Sequence, residues 1–183
     1  MADRIGDYYL NCEMRIAEAK KCLEKMKSAE NMIEVRANFM VFLDLTKNLF
    51  FPLQKYKNRL DDYDVWWGTH LADFDNEVCN FFKHARNDVI KGAYEIIKWN
   101  AIHPKGESIH IQGPLMLYEG NVFQPLENGR WVPHQEVVGV NLDWEFIDSP
   151  LNNNPIGLCS RYIEILENIL ADFINTYPDI LSR

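Results

Sequence analysis

Residues 5–26 read IGDYYLNCEMRIAEAKKCLEKM, and within them Ile5, Tyr9, Cys12, Ile16, Ala19, Leu23 and Met26 recur at alternating steps of four and three. That spacing brings an apolar side chain back to one face of a helix turn after turn, with charged residues between, and predicts one long amphipathic helix. The apolar stripe can pack inside its own chain or against a second copy, and the sequence leaves both open.

Downstream, Asn31 followed by Glu34 has the form of a capping box and predicts a second helix running to about Phe51, ended or kinked by Pro52. Its row Ile33, Ala37, Val41, Leu45, Leu49 is wholly apolar, and Val35, Phe39 and Leu43 form another, so this helix is expected to be central. The row Met32, Arg36, Met40, Asp44, Asn48 alternates, and Arg36 and Asp44 need partners if it is covered. Residues 54–64 are polar and read as a connector. Asp64 is placed to cap a short helix through Trp66, Trp67 and Leu71. A further helix from about Asp75 carries Val78, Phe81, Phe82, Ala85 and Val89 before Gly92 stops it.

Residues 94–147 are rich in Ile, Val, Trp and Tyr and broken by Pro and Gly, which predicts strands. Ile109 and Ile111 alternate with His110; Glu119-Gly120-Asn121 and Asn128-Gly129 mark tight turns, the second suited to a two-residue hairpin loop. Asn154-Pro155 then opens a last helix bearing Ile163, Leu166, Ile169, Leu170, Phe173 and Ile174. The expected class is α+β, mainly α: an up-and-down helical bundle with a small antiparallel hairpin sheet inserted before the C-terminal helix. A length of 183 residues predicts one domain. Residues 1–92 would be helical, 93–150 a strand-rich insertion and 151–183 the closing helix.

Charge narrows the function. Residues 1–91 hold 14 basic and 15 acidic side chains, whereas residues 92–183 hold 5 and 12, so the net charge of −8 falls almost wholly on the second half. General attraction to long nucleic acid needs a basic face, so any RNA contact is expected to be local and to come from the first half. No apolar run approaches the roughly 18 residues of a membrane span, and the start, MADRIGDYYL, has no secretory pattern, so no membrane partner and a cytoplasmic address are expected. Cys12, Cys22, Cys79 and Cys159 are scattered, without a zinc-type spacing, and read as buried thiols. The phosphate-loop, dinucleotide, zinc-protease and serine-hydrolase motifs are absent.

The segment of greatest chemical interest is FFKHARNDVIKGAY, residues 81–94. On a helix, Phe81, Ala85 and Val89 form an apolar row; Lys83, Asn87 and Lys91, and Asn80, His84 and Asp88, form polar rows. Arg86 stands between Phe82 and Ile90, so its charge lies at the edge of the core side. One reading is a structural arginine whose stem packs and whose head snorkels, or bonds Asp44 or a loop carbonyl.

The other reading comes from a likeness. An aromatic helix ending in Arg86-Asn87, with a basic residue five positions after the arginine, resembles the signature helix of the HEPN superfamily, whose pattern is Arg, four residues often beginning with Asn, then His. Arg36-Ala-Asn-Phe39, the pair Trp66-Trp67 and the FFKHARN run add to the likeness to bacterial HEPN-like proteins with an inserted strand region; it spans residues 30–95 and 155–176. It implies a homodimer linked to RNA processing or defence, in which paired motifs cleave RNA without metal or cofactor. Arg86 would stabilise phosphoryl charge, with Asn87 and Lys91 completing the site. Lys91 departs from the pattern: an exposed lysine titrates near about 10.4 and is a poor base at neutral pH, which implies weakened cleavage. His84 projects about 200 degrees away from Arg86 round the helix, and Tyr94 follows beyond Gly92. The alternative is a non-catalytic dimerisation or adaptor module that binds a protein partner. A metal site built from His70, Asp73, Asp75, Glu77 and His84 competes with a simpler account, in which those acidic residues belong to helix starts. His103, His110 and His134 have no useful spacing.

Overall fold

A computed structural model describes residues 5–29, 32–47, 49–74, 76–90, 97–102, 108–110, 116–118, 121–125, 131–138, 141–146 and 154–181. Its α-helices are α1 (Ile5–Lys27), α2 (Met32–Thr46), α3 (Tyr63–Phe74), α4 (Glu77–Ile90) and α5 (Pro155–Thr176), with 3-10 turns at Pro52–Tyr56 and Pro178–Leu181.

Helix α1 buries Tyr9, Cys12, Ile16, Ala19, Leu23 and Met26, the face expected from the sequence. That face packs within its own chain. Cys12 Sγ donates to the Leu49 carbonyl at 3.1 Å, Tyr9 stacks on Phe173 of α5 with ring centroids 6.4 Å apart, and Lys20 pairs with Glu167 of α5 at 2.6 Å.

Helix α2 ends at Thr46, short of the expected Phe51. Arg15 of α1 supplies the reason. Its guanidinium donates to the carbonyls of Asp44 at 2.7 Å, Leu45 at 3.0 Å and Lys47 at 3.0 Å, satisfying the free acceptors at the negative end of the helix. Of the two apolar rows expected, only that of Val35, Phe39 and Leu43 is buried throughout. Val35, Phe39, Phe42, Leu43 and Thr46 are buried, while Ala37 and Val41 of the all-apolar row face outward. Turning the helix this way buries two phenylalanines, which remove far more area from water than an alanine and a valine. Phe42 packs on Phe82 at 5.7 Å and Phe39 on Phe146 at 4.9 Å. Arg36 and Asp44 are exposed, so the mixed row is not covered.

The 3-10 turn Pro52–Tyr56, which overlaps the start of the polar connector, is an anchor: Leu53 and Tyr56 are fully buried. Helix α3 starts at Tyr63, one residue before the expected cap, after a turn in which Asp62 has φ 60°. Asp64 lies in the first helical turn, paired with Lys57 at 3.1 Å. Helix α5 begins as expected, with Asn154 Oδ1 accepting from the Gly157 N–H at 2.9 Å and Pro155 in the first turn. It buries Leu158, Cys159, Ile163, Leu166, Ile169, Leu170 and Phe173.

The expected α+β class with an inserted hairpin sheet is corrected. The body formed by the residues whose side chains are described is 85% helical, with five helices and no sheet of its own. The described strand segments between Ile97 and Phe146 add no single hairpin sheet to this body. They pair as two separate three-stranded ladders. In one of these, Ile97–Ile102 pairs with Asn141–Phe146, which are far apart in sequence and not hairpin neighbours. The physical reason lies in the core. Helices α1, α2, α4 and α5, with the 3-10 turns, cover one another's apolar faces, so no sheet layer is required to close it. Phe146 is the one strand residue among the described buried core, packed on Phe39 and Phe81. Composition rich in Ile, Val and Trp reports strand preference, but not which strands pair.

Candidate functional site

Helix α4 is started by Asn76, whose Oδ1 accepts from the Cys79 N–H at 2.9 Å. Its register is set by Phe82, buried and stacked on Tyr162 of α5 with centroids 4.4 Å apart and planes 11° apart. Val78, Cys79 and Ala85 are buried beside it, while Lys83 and His84 are exposed. One turn beyond Phe82, Arg86 is half-buried, and Asn87 next to it is half-buried as well. Arg86 therefore occupies the core-edge position that its apolar neighbours in sequence imply. No hydrogen bond or ion pair holds its guanidinium among the described residues, and the carbonyl of Asp44 is engaged by Arg15 instead. Lys91 and Tyr94 lie outside the described residues, as does Asp75 of the metal reading.

The most organised polar cluster lies elsewhere, where α3 meets α5. Asp172 Oδ2 accepts from the Trp66 indole Nε1–H at 2.8 Å and from His70 Nε2 at 2.9 Å, and His70 Nδ1 meets Asp73 Oδ2 at 2.7 Å. Both ring nitrogens thus face carboxylate oxygens, which suits an imidazolium donating twice. Burial pushes the His70 pKa down, but the hydrogen bonds and charges of Asp172 and Asp73 outweigh it, and the net shift is upward. Asp172 is held below the ordinary carboxylate value by the hydrogen bonds from His70 and Trp66. Both ring nitrogens are taken up by carboxylate partners, and no group of three metal-binding side chains occurs among the described residues. His84 is exposed on α4 and is not part of this cluster. The sequence offered His70 and Asp73 at helical spacing, but Asp172 joins them from a distant helix and no local pattern announces it.

The four cysteines are buried, reduced thiols. Burial pushes Cys12 up to about 12 and Cys79 up to about 11, so neither is a thiolate nucleophile at neutral pH. A groove of about 330 Å³ between α1 and α5 runs over Ile16 and Leu170, but its polar groups are engaged with one another: Lys20 with Glu167, and the Tyr9 hydroxyl with Glu13 at 3.0 Å. No family model, characterised protein or solved structure matches the chain. No helix among the described residues is long and apolar enough to cross a membrane.

Proposed function

We propose that the chain is a HEPN-like protein that forms a homodimer and acts on RNA at the C-terminal part of α4, with Arg86 and Asn87 as the contacts and Lys91 as the third group. One observation carries this reading: Arg86 is a half-buried cation that no carboxylate neutralises among the described residues, on a helix locked in place by Phe82. A half-buried arginine whose fork has no protein partner among the described residues is available for bidentate contact with a phosphate. Cleavage would proceed by attack of a ribose 2′-hydroxyl on the neighbouring phosphate, with Arg86 countering the charge that builds on the phosphoryl oxygens. Lys91 supplies positive charge but no group that titrates near neutrality, so activity is expected to be weak.

The test incubates wild type, Arg86→Ala and Lys91→His with mixed RNA in excess chelator. Arg86→Ala is expected to abolish binding or cleavage while the melting temperature hardly moves, and Lys91→His to raise cleavage. If all three proteins leave RNA intact and bind it equally weakly, the reading falls. A second reading, a non-catalytic adaptor that binds a protein partner, is favoured by Leu10 and Met14, one turn apart on the outer face of α1 and 47% and 62% exposed.

A further inference from the structure

We propose that α3 is a proton-dependent latch: protonated His70 bridges Asp73 on α3 to Asp172 on α5, and loss of that proton loosens α3 from the helical body. Helix α3 is anchored by a few aromatic side chains, among them Phe74, whose ring lies 5.6 Å from that of Phe50. It buries only Tyr63 and Trp66, while Val65 and Leu71 are 66% and 55% exposed. Trp66 reaches α5 through Phe173 at 4.9 Å and Tyr177 at 6.3 Å, and Trp67 touches Phe50 at 6.4 Å. The remaining ties from α3 to α5 converge on one oxygen, Asp172 Oδ2, which serves both Trp66 and His70.

The charged groups facing His70 are Asp73 from its own helix and Asp172 from α5; Tyr177 faces Trp66 on the α5 side. Both charged neighbours are carboxylates. A neutral imidazole carries one N–H, so on deprotonation one ring nitrogen must turn its lone pair toward a carboxylate oxygen. Either the bond to Asp172 or the bond to Asp73 is then lost and becomes repulsive. Burial favours the neutral ring, but the two carboxylates outweigh it and move the switch upward from the ordinary histidine value. The latch therefore holds in mildly acid solution and releases as pH rises. Release would reach the neighbouring helix, because the Asn76 side chain bonds both the Asp73 carbonyl at the end of α3 and the Cys79 N–H at the start of α4.

Amide hydrogen exchange of the full chain, corrected for the intrinsic pH dependence of exchange, tests this at pH 6 and pH 9. Residues 63–74 are expected to lose protection by about fivefold at the higher pH, the scale for a partly exposed ion pair, while α1 stays unchanged. His70→Gln, which remains uncharged throughout, should show the low protection at both pH values, and Asp172→Asn should flatten the response even if His70→Gln folds poorly. Equal protection of residues 63–74 in wild type at both pH values, or an unaltered response in folded Asp172→Asn, would overturn the latch. None of these outcomes depends on RNA.

Discussion

The cluster at Trp66, His70 and Asp172 and the end of α4 at Arg86 and Asn87 are both polar places at the edge of the same aromatic core, but they are finished differently. In the first, the indole N–H and both imidazole nitrogens have partners at 2.7–2.9 Å. In the second, Arg86 is half-buried and no hydrogen bond or ion pair among the described residues holds its guanidinium. A satisfied network of this kind fixes how two helices meet, whereas a charge left without a protein partner beside the core is free to engage a ligand. On the reading proposed above, partnering, more than burial or residue type, is what would separate the functional place from the structural one.

The comparison can be broken or sharpened by substitution. The largest effect is expected from Phe173→Ala, since Phe173 is fully buried and packs on Tyr9, Tyr56, Trp66 and Tyr177; urea denaturation should show a loss of about 3–5 kcal/mol. Such a loss would place the Trp66 cluster on the core that holds α5. Asp172→Ala comes next: it strips the buried indole N–H of its acceptor and should cost roughly 1–3 kcal/mol by the same measurement. A cost near zero would make the cluster ornamental and erase the contrast with Arg86.

The pH dependence gives a smaller effect with a defined sign. His70 is raised above its unfolded value, so its stabilisation is fully present below about pH 6.5 and lost as pH rises through the folded pKa. Asp172 is lowered, so its contribution is present above about pH 4 and lost as pH falls through its folded pKa. Denaturation of wild type minus His70→Gln across pH 4 to 9 should show a plateau between those limits, worth about 1 kcal/mol or less for a partly exposed pair. The smallest stability effect is expected from Arg86→Ala, within about 0.5 kcal/mol, alongside the loss of RNA binding or cleavage. A large stability loss there would place Arg86 with Asp172 among the structural groups.

Much of the helical body was legible in the chain. Steps of three and four identified α1 and its buried face, Asn154-Pro155 identified the start of α5, and Phe82 and Ile90 flanking Arg86 placed that arginine at the core edge. For α2, the row Val35, Phe39 and Leu43 was legible as a buried face, whereas Phe42 was not read as part of it and Ala37 and Val41 of the other apolar row proved exposed. The buried Tyr56 at the start of the connector was not legible because its neighbours in residues 54–64 are mostly polar. The strand-rich segment was legible as strand-forming, but the pairing of residues 97–102 with 141–146 was not.

What the sequence determined by itself was local: helix periodicity, caps, and the position of a charge relative to its apolar neighbours one turn away, all set by interactions a few residues long. The tertiary structure alone decided the rest. It brought Arg15 of α1 to the carbonyls that end α2, gave Asp172 of α5 to both Trp66 and His70 of α3, and left Arg86 without such a partner among the described residues. Those outcomes depend on which helices come together. That choice is made by burying the largest aromatic area across the whole chain, and no window of sequence contains it.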